Sequence, residues 1–231
     1  MIQFKNLYLI GSSHIAQQSL NEVKDFIVKD NPDIVALELD KGRFYALISK
    51  KSKRRANLSD IKRVGFKGFL FQVIGSFVSK KLGKIVNVNP GDEMLMAIKL
   101  SKKRNIALID RDIHVTLKRF SKSITWKEKF RIVGDVIKGI FLGKKNLEKY
   151  GIKGFDLTKV PSPDLIRKMV NIVKQRYPNF YNVLVRERDV FMANNLIKLV
   201  NLYPDKKILA IVGAGHVDGI SKLIKKHKFI N

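Results

Sequence analysis

The 231-residue chain has no cysteine, six prolines, a single tryptophan and only 20 acidic residues against 46 lysines and arginines. Without thiols there is no disulfide framework, thiolate zinc site, iron–sulfur cluster or cysteine nucleophile, so any metal must be held by His, Asp or Glu. No run reaches the roughly 18 to 20 consecutive apolar residues of a membrane span, and the first residues enter a strand-like run rather than a signal peptide. The expectation is a cytoplasmic protein, one peripheral at a membrane, or a soluble domain of a membrane-anchored one. With 45% hydrophobic residues and 15 glycines the chain is neither disordered nor collagenous. The shortage of acids leaves a net charge of +26, which favours anionic partners: nucleic acid, an anionic membrane surface or an acidic ligand.

Apolar runs alternate with helical spacing. Leu7–Ile10 reads as a buried strand, followed by Gly11-Ser12-Ser13-His14 and a helix that Asn31-Pro32-Asp33 ends. Ile34–Leu39, Ile106–Asp110 and Ile208–Val212 read as further strands, and helices are expected at 164–175 and 178–201. The pattern predicts an α/β domain spanning 1–231, with a central largely parallel or mixed sheet flanked by helices. Two stretches depart from it, 49–84 and 126–175, expected as a basic, apolar helical insertion or lid. Between Ser49 and Lys84 eleven Lys/Arg stand against one acid, Asp60, around the uncharged run Gly68–Ser79. Basic residues interleaved with Phe, Leu, Ile and Val over 62–84 and 126–145 suit an interfacial helix on anionic lipid. The competing reading is that these helices pack on each other or on a second subunit, giving a homodimer.

In a parallel sheet, ligands sit beyond the carboxyl ends of the strands. His14 and His216 both occupy that position, each in a Gly-x-x-His turn, and Glu38 and Asp110 end two other strands on the same edge. Imidazoles and carboxylates converging there suit a manganese, cobalt, zinc or magnesium ion. A histidine in such a turn also serves simply as a helix cap. Gly213-Ala214-Gly215 lacks both the third glycine of a dinucleotide turn and the Gly-Lys-Ser/Thr of a P-loop. His114 and His227 read as solvated. Glu187 falls on a helical face with Val183, Val190 and Ile197, and Glu93 on one with Ala97 and Leu100. A carboxylate on an apolar stripe must be paired or ligating, so each belongs to an ion pair or to a site. Arg43, Arg111 and Arg188 stand in charge-dense clusters able to hold a carboxylate or an anionic transition state.

Taken in order, Gly11-Ser12-Ser13-His14, Pro32–Asp40 with Arg43, Glu93-Met94, Asp110–Ile113 with Thr116–Arg119, Arg186–Asp189 and Gly213–His216 form a set. It resembles the TraB/PrgY family, named for plasmid-encoded inhibitors of peptide pheromone signalling. The resemblance implies a domain related to the Tiki proteases, thought to be metal-dependent peptidases with two Gly-x-x-His motifs and a glutamate, and more distantly to haem-binding ChaN and erythromycin-esterase-type proteins. By position it carries the two histidines onto His14 and His216 and the glutamate onto Glu38, with Glu93, Asp110, Arg111, Arg119, Glu187 and Arg188 matching the other polar blocks. Many members continue into C-terminal membrane helices; this chain stops at Asn231, so it is expected either to have lost an anchor or to stand alone.

The expected function is metal-assisted hydrolysis of a peptide, with His14, Glu38 and His216 holding a manganese, cobalt or zinc ion. Glu187 or Glu93 is the expected general base, and Arg43, Arg111 or Arg188 the expected oxyanion or carboxylate partner. The alternative is a non-catalytic domain that binds or sequesters a peptide or other ligand, and the absence of a His-Glu-x-x-His helix favours it. Haem binding ranks lower. Nucleic-acid binding rests on charge alone, since no recognised motif accompanies it.

Overall fold

The structure, a computed structural model, describes residues 1–12, 17–49, 92–101, 106–142 and 162–227. Five strands, β1 (Ile2–Phe4), β2 (Leu7–Ser12), β3 (Ile34–Leu37), β4 (Ile106–Leu108) and β5 (Ile208–Gly213), form one sheet in the order β1-β2-β5-β3-β4. The three pairings among β2 to β5 are parallel, and β1 closes one edge antiparallel to β2. The mixed α/β sheet is thus the expected one. β1 was not foreseen, because three residues alternating in burial carry too little periodicity to read. β5 is buried along its whole length, as a central strand must be.

The pleat divides the core. Leu7, Leu9, Ala36, Ile208, Ala210 and Val212 face one layer of helices, α8 (Glu187–Leu202) and α9 (Ala214–Lys226). Ile10, Val35, Leu37, Leu209 and Ile211 face the other, α1 (Gln17–Asp30) and α3 (Asp92–Leu100). α1 ends at Asn31, which turns left-handed (φ 42) before Pro32. Between β3 and α3 lies α2 (Lys41–Ile48), whose first turn is capped by Asp40 accepting from the Arg43 N–H at 3.0 Å.

After β4 the chain forms α4 (Ile113–Ser123), α5 (Trp126–Leu142), α6 (Pro163–Arg176) and the short α7 (Pro178–Tyr181). A π-helical turn, Asn182–Arg186, joins α7 to α8. Of the 49–84 insertion only Ser49 is described, and 143–161 also lies outside the described residues. Hydrogen bonds tie α5 to the C-terminal end of α6. Arg176 grips Asp135 at 2.5 and 2.7 Å, Tyr177 donates its hydroxyl to the same carboxylate, and Arg131 donates to the Arg176 carbonyl at 2.8 Å. Burial and the Asp135 carboxylate push the Tyr177 phenol up to about 12. Among the described residues no helix is long and apolar enough to cross a membrane.

Two expected helix faces differ from the structure. Val190 and Leu100 are exposed, at 41% and 39%. The buried face of α8 is Asp189, Met192, Ala193, Leu196 and Val200, while Val183 packs apart from it with Phe120 and Ile124. The π turn adds a residue to its turn of helix, so one 3.6-residue period cannot run from Val183 through Ile197.

Candidate functional site

Successive strands deliver their carboxyl ends to one edge of the sheet. The residue after β3 is Glu38, which the pleat turns toward α8 and α9; two residues past β4 comes Asp110; β5 runs through Gly213 into the helix that carries His216. Glu38, Asp40, Asp110, Asp189 and His216 are all buried there, with 4–8% of their surface exposed.

Arg188 joins these ends. Its guanidinium donates to Glu38, to Asp110 at 2.6 Å and to the Leu184 carbonyl at 3.2 Å. Burial opposes its charge, but the Glu38 and Asp110 carboxylates outweigh burial and raise its pKa above the ordinary arginine value. Arg43 bridges Asp40 and Asp110 at 2.5 Å each, and Asp110 together with Asp40 more than offsets the desolvation of that guanidinium too. Desolvation likewise raises the Asp40 carboxyl, but the hydrogen bonds from Arg43 hold it below its usual range. The second oxygen of Glu38 accepts the Gly213 N–H at 2.5 Å, at the start of α9, where the helix dipole favours a carboxylate.

His216 is oriented by Asp189, whose Oδ1 lies 2.6 Å from Nδ1. The other ring nitrogen, Nε2, lies 3.2 Å from Arg188 Nη1 and 3.4 Å from Glu38 Oε1. Since arginine only donates, this network assigns the proton to Nδ1 and the lone pair to Nε2. Burial raises the Asp189 pKa, with His216 pulling the other way. The helices that carry this pair touch closely: a Cβ on Gly219 would lie 2.1 Å from Asp189 Oδ2.

A second charged group adjoins the first. Glu187 accepts from Arg119 through both oxygens at 2.6 Å and from Arg111 at 2.9 Å. The Arg119 hydrogen bonds hold its carboxyl below the usual range, with Arg111 adding to them against burial. Arg111 also donates its backbone N–H to Asp110 at 2.7 Å, linking the two groups. A carboxylate held in that way suits an ion-pair partner better than a base working near neutrality.

The structure therefore brings together Glu38, Arg43, Asp110, Arg188 and His216, and beside them Arg111, Arg119 and Glu187. Glu93 is buried with Met94, Ala97 and Ile98 on α3, on the opposite side of the sheet from α8 and α9. His14 lies outside the described residues; β2 ends at Ser12, which pairs with Gly213. His114 and His227 are exposed. Sequence reading missed Asp189 as the partner of His216. Continuing the apolar stripe Val200–Leu196–Ala193–Met192 backward by one turn lands on Asp189 and would have found it.

The donor set can be weighed against a divalent ion. Glu38 Oε1 and His216 Nε2 stand at a spacing two ligands of one ion can share. A carboxylate on the far nitrogen is the usual support of a metal-binding imidazole. In this cluster four carboxylates face two guanidiniums, which leaves negative charge for a further cation. Arg188 competes, because it already bonds both Glu38 and Asp110. Among the described residues no three His, Asp or Glu side chains converge as a ligand set. Two of the three expected ligands and their support fit; the third, His14, is not described.

The TraB/PrgY/gumN family profile matches residues 3–229. An uncharacterized protein of Methanocaldococcus jannaschii is 35% identical over 223 residues, covering 96% of this chain and 54% of its own length. Proteins of Mus musculus and Homo sapiens named TraB domain-containing protein are each 25% identical, over 244 and 241 residues, covering 94% of this chain and 62% of their own length. The chain thus spans between about half and three-fifths of the curated relatives it matches.

Proposed function

The chain belongs to the TraB/PrgY/gumN family, and from that premise and the line Asp189–His216–Glu38 we propose that it is a metal-dependent hydrolase acting on a peptide amide. The observation that carries the reading is a buried histidine with Nδ1 fixed by a carboxylate and Nε2 turned to a second carboxylate at 3.4 Å. His216 and Glu38 would hold the ion, with His14 as the third ligand that the family resemblance suggests. A divalent ion so held supplies Lewis acidity toward an amide carbonyl and lowers the pKa of a water to about 7.

The chain's own residues divide the remaining work. Asp189 keeps the His216 proton on Nδ1. Arg188 bonds both Glu38 and Asp110, offsetting part of their charge and fixing their oxygens. Arg43 holds Asp110 from the other side. Arg119, half-exposed at 52%, would offer the edge of its guanidinium that does not bond Glu187 to a substrate carboxylate. Purified protein assayed on a peptide library with manganese, cobalt or zinc should cleave, and chelation should stop it. Full activity in His216→Ala and Glu38→Gln would reject the site.

The position of Arg188 favours a second reading, a domain that binds a peptide without turning it over, because a cation already sits among Glu38, Asp110 and His216. Saturable peptide binding with no product under any of the three metals would select it.

A further inference from the structure

Helix α5 packs Ile132 inward but presents three other apolar residues to solvent. Trp126, Phe130 and Val133 are 63%, 71% and 45% exposed, at positions i, i+4 and i+7 of one helical face. The two rings stack with centroids 6.0 Å apart, and the Lys129 ammonium sits 4.2 Å over the indole. The sequence continues the same spacing at Ile137 and Phe141. α5 docks through its other side, by Glu128, Arg131 and Asp135.

We propose that this Trp126–Phe130–Val133 edge is a docking face for an anionic phospholipid surface, a property independent of hydrolysis at the sheet edge. The charge that α5 itself turns outward is of one sign. On α5 Lys127 is exposed next to Trp126 and Lys129 lies over the indole, while the acids of α5, Glu128 and Asp135, are held by partners on the helix's other side. Glu128 accepts from the Asn179 backbone and side-chain amides at 2.8 and 2.9 Å, and Asp135 is held by Arg176. Outward-facing charge is therefore basic, around two aromatic rings, the composition of an interfacial helix: rings enter at the headgroup level, and lysines lay their stems on the apolar surface with ammoniums toward phosphate. A second copy is a poor occupant. A two-fold contact sets the same patch against itself, so the lysine rim would meet its own charge.

Trp126 is the chain's single tryptophan, so its emission reports on this face alone. The intact protein is titrated with vesicles of mixed phosphatidylglycerol and phosphatidylcholine and, separately, of phosphatidylcholine alone. The expected result is a blue shift and protection from an aqueous quencher with the anionic vesicles only. Phe130→Ser should weaken vesicle binding about tenfold or more at an unchanged unfolding midpoint. Unchanged emission on anionic vesicles would overturn the proposal, as would sedimentation with them in the absence of any shift. A shift that follows protein concentration without lipid would assign the face to a second copy and overturn it equally.

Discussion

Arg188 satisfies groups from three separate parts of the chain, and its loss should be felt beyond its own contacts. Arg188→Ala leaves Glu38 and Asp110 buried with less than their compensation, a defect worth about 3–5 kcal/mol. Urea unfolding should show that loss; a change under about 1 kcal/mol would mean another cation already balances the carboxylates. Asp189 separates stability from function. Its carboxyl is raised by burial, so ionisation is harder in the folded protein than in the unfolded one. The resulting penalty is absent below the ordinary value of 3.8 and is complete once pH exceeds the raised folded value. Asp189→Asn keeps an acceptor for Nδ1 and removes that penalty, so the variant should match or exceed the parent in stability at pH 7, with the gain vanishing as pH falls to 3.8. Its metal affinity should nevertheless drop about 10–100-fold, read by competition with a chelating dye. Gly219→Ala attacks the same pair sterically, since the added methyl would overlap Asp189 Oδ2. A cost of about 1–3 kcal/mol is expected, together with the metal-binding defect.

At the scale of elements, Glu187 ties α8 to α4 through Arg119 and to the end of β4 through Arg111. Its pKa is lowered, so the tie contributes fully above the ordinary carboxyl value of 4.5 and is lost as pH falls through the lower folded value. Glu187→Gln should cost about 1–2 kcal/mol at pH 7, discounted because Arg119 is half in water, and the gap should close on acidification below pH 4.5. A gap constant down to pH 2 would assign the effect to shape rather than charge. The same element shows how far sequence reaches. The strands leading to Glu38 and Asp110, the strand-to-helix junction at Gly213 and the helix boundary at Pro178 are legible, because apolar runs and turn residues are local signals, although the expected Gly213–His216 turn is already helix from Ala214. The phase of α8 is not, because a π turn resets it; hence Glu187 reads as the core-facing carboxylate where Asp189 is the deeper one. The partners of Arg188 are beyond local pattern as well: Glu38 lies 150 residues away and Asp110 78, and only the sheet order brings them together.

Across the whole molecule the charge divides by location. The carboxylates Glu38, Asp40, Asp110 and Asp189 are buried at the sheet edge, where guanidiniums and an imidazole answer them. The surplus of 26 positive charges must then lie mostly elsewhere, on surface that repels itself and favours expansion. Salt acts on these two populations unequally. Raising ionic strength from about 0.01 to 0.1 M shortens the screening length from roughly 30 to 10 Å, which relieves repulsion between exposed lysines but barely reaches buried pairs. A protein held chiefly by exposed ion pairs would lose stability under that change. This one should gain it: relief of about 1 kcal/mol corresponds to a rise in Tm of about 2–4 °C for a chain of this size, measurable by calorimetry in sodium chloride. A fall in Tm would instead place the weight of stabilisation on surface pairs such as Asp164–Arg167 and Asp218–Lys222. The same salt series should leave the Arg188→Ala penalty nearly unchanged, because the carboxylates it strands are inside.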